Sequence, residues 1–203
     1  MTGPGLRERK KQDTRAALAA ATLDLAEEHG LAAVTVEQIA ARAGVSYRTF
    51  FNYFSAKEEA LLRPTGGGGS TFGAHLLAQD ASLAPLDAAR AALHEELSAL
   101  EDDGAAWHRR LTVIAQDETL LPRLVQLGAT NEREMAEAIA TRLGQDVERD
   151  LYPGLLGAVL GCAVRVTLTR WHRLEGRTPL PRLLDEALDA LAAGLPGARP
   201  AGS

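Results

Sequence analysis

One face of a short predicted helix carries Tyr47, Arg48, Phe51 and Asn52, which recur at the spacing of a single helical side. The planar fork of an arginine matches the O6 and N7 acceptors of guanine, and such a pair discriminates between bases by about 1–3 kcal/mol. The tyrosine is suited to stacking or to a phosphate, and the asparagine to a phosphate or to adenine. This side of the helix therefore has the chemistry that reads a DNA major groove.

The other side of the same helix is apolar. Phe50 and Phe54 lie four residues apart with Tyr53 beside them, a spacing that favours a small core. Lys57 begins the next predicted helix and is placed to bind a backbone phosphate, a contact that fixes the register of a protein on DNA without reading its sequence.

Two helices joined by a tight turn position these side chains. Thr35 and Gln38 have the spacing of a capping box, which starts the first helix. Gly44 supplies the backbone freedom to end it, and Ser46 caps the helix that carries the reading face. The spacing is typical of a helix-turn-helix over residues 35–54. Short amphipathic helices joined by glycine also occur throughout α-helical proteins, so the skeleton alone leaves a purely structural role open.

Residues 14–62 resemble the amino-terminal domain of TetR-type transcriptional regulators. The positions that carry the resemblance are Leu18, Ala21, Leu25, Gly30, Thr35, Ile39, Ala40, Ala43, Gly44, Val45, Ser46, Thr49, Phe50, Tyr53, Phe54, Lys57, Glu58, Leu61 and Leu62. One departure is Phe51, which stands where the family usually has a tyrosine whose hydroxyl touches a phosphate. That hydrogen bond is expected to be missing here, and the Phe51 ring is left to pack against a sugar or a thymine methyl group.

The resemblance implies a DNA-binding surface built from the helix-turn-helix and its flanks. The predicted contact residues are Thr35, Ser46, Tyr47, Arg48, Thr49, Phe51, Asn52, Tyr53 and Lys57. The start of the first helix, near Thr14 and Arg15, is also predicted to face a phosphate.

The distribution of charge supports this role, although the net charge of the chain is −5. Residues 1–63 hold nine Lys and Arg against eight Asp and Glu, whereas residues 64–203 hold thirteen against nineteen. The basic stretch 7–11 lies beside the motif, which is sufficient for electrostatic steering toward DNA. Residues 1–12 are therefore predicted to form a flexible basic arm.

The chain is predicted to be all-α, because no strand-like alternation is sustained. The predicted parts are a DNA-binding domain at 13–63 with a first helix over 13–28, a glycine-rich connector at 64–84, a ligand-binding and dimerisation domain at 85–195, and a disordered tail at 196–203. The glycine run 66–70 is either a flexible connector or a mobile loop. Five helices are predicted in the larger domain, over 86–100, 105–115, 120–143, 147–174 and 183–193.

The resemblance further implies a homodimer, in which the last two helices pair with their copies, bound to a near-palindromic operator on double-stranded DNA. The last helix has a leucine stripe at Leu184, Leu188, Leu191 and Leu195. The helix before it has Gly157 and Gly161 four apart, which allows another helix to approach closely. An intramolecular core is the alternative explanation of both patterns.

Repression that a small-molecule effector relieves is also implied by the resemblance. Candidate lining residues are polar or aromatic side chains amid apolar helix faces: Trp107, Gln116, Arg165, Trp171 and His172. With 4% aromatic residues the pocket is expected to be mainly aliphatic, which favours an apolar or acyl-like ligand. Ordinary packing is the alternative role for each of these side chains.

Catalytic, cofactor and metal motifs are absent from the sequence. His94 and Glu95 begin like a zinc-protease helix, but Ser98 occupies the position of the second histidine. No nucleophile elbow, phosphate loop or cysteine pair is present, so we expect no enzyme, no metal and no cofactor.

A cytoplasmic protein without a membrane partner is expected. The longest apolar run, 153–164, is too short to cross a bilayer, and the amino terminus lacks the pattern of a signal peptide. The alternative function is a helical, dimeric small-molecule-binding or interaction protein that does not bind DNA.

Overall fold

The structure, a computed structural model, describes residues 6–63, 71–101 and 103–195. Within these ranges the chain forms ten α-helices and no β-strand, which confirms the predicted all-α class. The helices are α1 (Leu6–His29), α2 (Val36–Arg42), α3 (Tyr47–Phe51), α4 (Lys57–Leu62), α5 (Phe72–Ala78), α6 (Pro85–Glu101), α7 (Gly104–Gln116), α8 (Leu121–Leu143), α9 (Leu151–Arg173) and α10 (Leu180–Ala192). Two 3₁₀ turns accompany them, at Leu31–Ala33 and Glu118–Leu120.

Helix α1 begins at Leu6, so the prediction of a flexible arm is wrong for residues 6–12. Residues 1–5 lie outside the described residues. Arg, Glu, Lys and Gln are strong helix formers, and no glycine or proline lies between Leu6 and Gly30. The basic stretch therefore extends the helix, and its exposed members are Arg9, Lys10 and Lys11.

Helix α5 lies within the segment 64–84 that was predicted as a connector, so that prediction is wrong for residues 72–78. Phe72 and Leu76 are buried and hold α5 in place. Residues 64–70, with the glycine run, lie outside the described residues, as does the predicted tail at 196–203.

A side chain from α8 completes the C-terminal end of α5. Arg142 Nη1 donates hydrogen bonds of 3.1 Å to the carbonyl oxygens of Leu76 and Gln79. Carbonyls in the last turn of a helix have no partner within that helix, so an arginine fork that reaches them stabilises the end.

The five helices predicted for the larger domain are all present, with ends displaced by four residues at most. The largest displacement is at the start of α9, which begins at Leu151 rather than at residue 147. Before it, the Asp146 carboxylate accepts a 2.9 Å hydrogen bond from the Glu148 N–H, a side-chain turn that competes with helix formation.

The chain divides into two compact units: residues 1–69 with 109–127, and residues 70–108 with 128–203. In the first unit, helices α1 to α4 enclose a core of Leu18, Ala19, Ala21, Leu25, Val34, Ile39, Phe50, Phe54 and Ala60. Arg109 ties the later segment of this unit to α1 through ion pairs with Asp24, at 2.6 Å, and with Glu27.

In the second unit α9 lies close against α8 at Gly157. A Cβ atom on this residue would lie 2.7 Å from the carbonyl oxygen of Glu132 and 3.0 Å from the amide nitrogen of Ala136. The glycine pair therefore does permit a close helix approach, as predicted, and the neighbouring helix belongs to the same chain.

Helix α10 contributes to the core of the second unit. Leu184 and Leu188 are fully buried, so this half of the leucine stripe packs within the chain, whereas Leu195 is exposed. On the polar side of α10, Arg90 of α6 pairs with Asp185 at 2.7 Å.

By length and composition α9 meets the criterion for a membrane-crossing helix, with a mean hydropathy of 1.6 over an 18-residue stretch. The prediction from sequence considered only the apolar run 153–164, which is too short to cross a bilayer. A core helix of a soluble protein meets the same criterion. The close packing of Gly157 against the backbone of α8 is typical of such a core helix.

Candidate nucleic-acid interface

Helices α2 and α3 are joined as the sequence predicted. Thr35 accepts a hydrogen bond from the Gln38 N–H, and the Gln38 side chain accepts one from the Thr35 N–H, so the capping box is complete. Gly44 follows α2 with a φ of 68°, a conformation that favours glycine. The Val45 N–H then donates to the Ala40 carbonyl at 2.9 Å, which closes the C-terminal end of α2.

Ser46 starts α3 from the other side of the turn. Its hydroxyl accepts a 3.1 Å hydrogen bond from the Thr49 N–H and lies 2.7 Å from the Thr49 hydroxyl. Cap side chains of this kind satisfy amide groups that the first turn of a helix leaves open. The two helices are thus held at the short separation of a helix-turn-helix.

Helix α3 and the three residues that follow it have the two faces that the sequence predicted. Phe50 and Phe54 are buried in the core of the first unit, with exposed fractions of 0% and 2%. Tyr47 and Phe51 remain 50% and 46% exposed on the other side. Exposed with them are Arg48 and Asn52. A helix that presents a guanidinium, a carboxamide and two aromatic rings to solvent has the groups needed to contact bases and phosphates.

Arg15 was predicted to face a phosphate, but its side chain does not point outward. It is buried, and its Nη1 and Nη2 atoms donate to the carbonyl oxygens of Tyr53 at 2.6 Å and Arg63 at 3.0 Å. Its guanidinium carbon lies 4.0 Å from the centroid of the Phe54 ring. Arg15 therefore holds the ends of α3 and α4 against α1. The Thr14 hydroxyl also has a protein partner, because it donates a hydrogen bond to the Lys10 carbonyl of its own helix.

The structure also contradicts the phosphate contact predicted for Lys57. Its Nζ atom donates to three carbonyl oxygens, those of Leu31 at 2.8 Å, Ala32 at 3.2 Å and Val34 at 2.7 Å. An ammonium group has three N–H donors, and all three are directed at the protein backbone. Lys57 therefore stabilises the turn between α1 and α2.

Replacing Lys57 with methionine is expected to lower the free energy of unfolding by about 1–2 kcal/mol, because three carbonyls lose a charged donor. Thermal and urea unfolding followed by circular dichroism measure the change. Lys11→Met, which removes an exposed lysine from α1, is the matched control. Equal unfolding of the two variants would show that the Lys57 contacts contribute nothing.

Three more residues were predicted to contact DNA: Thr35, Thr49 and Tyr53. Thr35 is exposed at the start of α2, and Thr49 is partly exposed on α3. Tyr53 is partly buried and packs against the core of the first unit. Direct contact of these three residues with DNA stays a prediction.

The predicted effector residues do not all converge. Trp171 is buried on α9, and His172 follows it. Both lie beside His108 of α7, whose ring centroid is 6.2 Å from the Trp171 ring and 4.7 Å from the His172 ring. We call these three residues the His–Trp cluster. Trp107 is partly buried on α7.

Two of the predicted effector residues are exposed. Arg165 lies on the exposed side of α9, where its Nη2 atom is 3.5 Å from Cys162 Sγ, and Gln116 belongs to the first unit. Sequence reasoning also missed His108, because its ring contacts come from α9, far along the chain, and no local pattern signals them.

Burial, and then the neighbouring His108, lower the pKa of His172. The folded state therefore favours the neutral imidazole. Below the ordinary histidine pKa of 6.5, the unfolded chain takes up a proton more readily than the folded one. Stability from this residue is complete above that pH and is lost as the pH falls below it.

We therefore expect the protein to unfold more easily on acidification from about pH 7.5 to 5, and His172→Gln to reduce this dependence. Urea unfolding at a series of pH values measures it. His29→Gln, which replaces an exposed histidine, is the control. An unchanged pH dependence in His172→Gln would contradict the assignment.

The architecture matches known proteins in both units. Residues 18–63 match the bacterial regulatory proteins of the tetR family, and residues 83–196, more than half of the chain, match the MftR C-terminal domain. The chain belongs to the TetR family of transcriptional regulators. The resemblance seen at residues 14–62 is thereby confirmed.

The regulator is similar along most of its length to characterised sequences and folds. The HTH-type transcriptional regulator TcmR of Streptomyces glaucescens is 34% identical over 198 residues, covering 93% of this chain and 87% of TcmR. A SmeT–triclosan complex superposes with a TM-score of 0.59 at 22% identity, covering 92% of this chain and 99% of SmeT. Thermus thermophilus FadR, a TetR-family repressor in complex with lauroyl-CoA, superposes at 0.52 and 21% identity, with 93% and 98% covered.

Family membership settles the broad function. The regulator is a DNA-binding protein of a family that controls transcription and does not consist of enzymes. TetR-family regulators are soluble cytoplasmic proteins that dimerise and bind small-molecule effectors. Among the residues that the structure describes, no group of three or more His, Cys, Asp or Glu side chains is arranged to hold a metal ion.

Proposed function

We propose that the regulator acts in the cytoplasm as a homodimeric repressor, which occupies a near-palindromic operator and releases it when a small molecule binds the second unit. The observation that supports it most is the exposed face of α3. Arg48 and Asn52 present base-reading groups there, while the capping box at Thr35 and the buried Phe50 fix the helix below them.

The exposed side of α9 is the proposed dimer surface. Leu151 and Leu155 are 82% and 56% exposed, and Val166, about three helical turns after Leu155, is 48% exposed. Only a third of the most apolar stretch of α9 is buried within the chain. A second copy of the chain is the proposed occupant, since the family dimerises and an apolar helix side of this length is costly to leave in water.

Sedimentation equilibrium tests the dimer surface. Wild type is expected at twice the chain mass of 21.6 kDa, and Leu155→Arg at the monomer mass with weakened operator binding. Leu77→Arg places the same charge on an exposed leucine of α5 and is expected to remain a dimer. A dimeric Leu155→Arg variant would place the interface elsewhere.

The His–Trp cluster is the proposed part of the effector site. His172 Nδ1 is buried and has no hydrogen-bond partner among the described residues, so a ligand that reaches it gains a polar contact. Gln116 and Arg165 are weaker candidates because both side chains are exposed, whereas Trp107 is partly buried next to His108 on α7. Fold relatives in complex with triclosan and lauroyl-CoA support an apolar or acyl-like effector.

The chain's two tryptophans, Trp107 and Trp171, both belong to the second unit, so their fluorescence reports on a ligand there. An effector is expected to change the emission of wild type and to displace DNA, with the larger part of the emission change lost in Trp171→Phe. Ligands that displace DNA equally well from His172→Ala would exclude His172 from the site.

Selection from randomised DNA duplexes with the full-length protein tests the proposed function as a whole. The expected product is a near-palindrome with half-sites about one helical turn apart, or a multiple of it. Recovery of no preferred sequence would contradict operator binding and would favour a ligand-binding protein without a DNA role.

A further inference from the structure

Two aromatic rings stand together on the exposed face of α3. Tyr47 and Phe51 have ring centroids 5.1 Å apart and planes inclined at 67°, an edge-to-face contact. Phe51 also meets Phe50 edge-to-face, with centroids 5.3 Å apart and planes at 80°. Phe50 is fully buried. The Phe51 ring is therefore braced on two sides while nearly half of it stays open to solvent.

Among the groups on the base edges, the open part of Phe51 is suited to one kind of partner. A phenyl ring has no hydrogen-bond donor or acceptor, so Phe51 is unable to bind a phosphate or a polar base edge in the way Arg48 and Asn52 do. The major-groove edges of the four bases offer donors, acceptors and a single apolar group, which is the C5-methyl of thymine. Burying that methyl against a ring that is already held in place costs little conformational entropy.

We infer that Phe51, braced by Tyr47, reads a thymine methyl group in each operator half-site. This inference rests on the proposed DNA contact of α3. Arg48 lies one helical turn before Phe51 on the same face, so the thymine is expected close to the base pair that the arginine reads. The Phe51 ring thus gives the regulator a preference for thymine at this position that does not depend on hydrogen bonds.

Replacing thymine with deoxyuridine tests the inference without altering the protein. The two bases differ only by the C5-methyl group. With the operator selected from randomised duplexes, each thymine of a half-site is changed in turn and the dissociation constant is measured by fluorescence anisotropy. Wild type is expected to lose about fourfold in affinity at one thymine position per half-site, the amount expected for one buried methyl group.

Three variants assign the methyl contact to a side chain. Phe51→Ala is expected to bind the thymine and uracil operators equally. Phe51→Tyr keeps the ring and is expected to keep the fourfold ratio. Arg48→Ala, on the same face, is expected to weaken operator binding and yet keep the ratio. Thermal unfolding checks that Phe51→Ala is folded, which its exposed position favours.

Each outcome bears on a different statement. A preferred operator that tolerates uracil at every thymine contradicts the methyl contact and leaves operator binding in place. A thymine preference that persists in Phe51→Ala assigns the methyl to another side chain and overturns the role of Phe51. If no duplex is preferred by wild type, both the inference and the proposed operator binding fail.

Discussion

Gly157→Ala is expected to lower the free energy of unfolding of the second unit by about 1–3 kcal/mol, the cost of overpacking a well-packed contact. The added methyl group would meet the carbonyl oxygen of Glu132 at 2.7 Å and the amide of Ala136 at 3.0 Å. Both atoms belong to the backbone of α8, which is unable to turn aside as a flexible side chain does. The helices must therefore separate and lose packing along their contact.

The same helix supplies two matched controls. Gly154 has nothing within 4 Å of a Cβ position, so Gly154→Ala is expected to stabilise α9 by about 0.5–1 kcal/mol through helix propensity alone. Gly161 would meet the flexible side chain of Glu132, so Gly161→Ala is expected to fall between the two. Urea unfolding at one fixed protein concentration gives the order. Equal stability of the Gly154 and Gly157 variants would refute the close approach.

Arg15→Met is expected to lower the free energy of unfolding of the first unit by about 2–3 kcal/mol, because two partly buried carbonyls lose the same donor. Methionine keeps the length and apolar stem of arginine but lacks its fork. The carbonyls of Tyr53 and Arg63 mark the ends of α3 and α4, so these ends are expected to loosen. Operator affinity is expected to fall although every base-reading side chain is intact.

Circular dichroism melting and operator titration measure both consequences of Arg15→Met. Arg9→Met removes an exposed arginine from the same helix and is expected to change the melting temperature little. Arg15→Lys keeps the charge without the fork and is expected to lie between them. If Arg15→Met and Arg9→Met melt together, the fork has no role in holding the two helix ends.

Much of the helix-turn-helix formed by α2 and α3 is predictable from sequence, because the residues that determine it lie close together in the chain. The capping box at Thr35 and the turn at Gly44 each involve residues within a few positions of one another. The two faces of α3 follow from helical periodicity, which places Phe50 inside and Phe51 outside whatever surrounds them. These features need no knowledge of the rest of the chain.

The errors concern side chains whose partners are distant in sequence. Lys57 has a charge suited to phosphate, but its three acceptors lie 23 to 26 residues earlier in the chain. Arg15 reaches carbonyls 38 and 48 residues away. A motif shows that a cation is present at a position, whereas only the fold shows whether the protein's own carbonyls already occupy it.

The second unit shows the same limit. The glycine spacing on α9 predicts that some helix approaches closely, but it does not say whether that helix belongs to the same chain. Helix α5 was missed because its apolar side is short and follows directly on a glycine-rich run. The His–Trp cluster forms between α7 and α9, so the partnership of His108 with His172 has no local signature.

Fluorescence anisotropy of wild type and Arg48→Ala, on the selected operator and on random duplex at two salt concentrations, tests DNA reading by α3 most directly. Wild type is expected to prefer the operator at both salts, with non-specific binding falling steeply as salt rises. Arg48→Ala is expected to lose about 5- to 150-fold of the preference, with binding to random duplex little changed. A wild type without preference, or an Arg48→Ala variant that keeps all of it, would contradict the assignment of α3 as the reading helix.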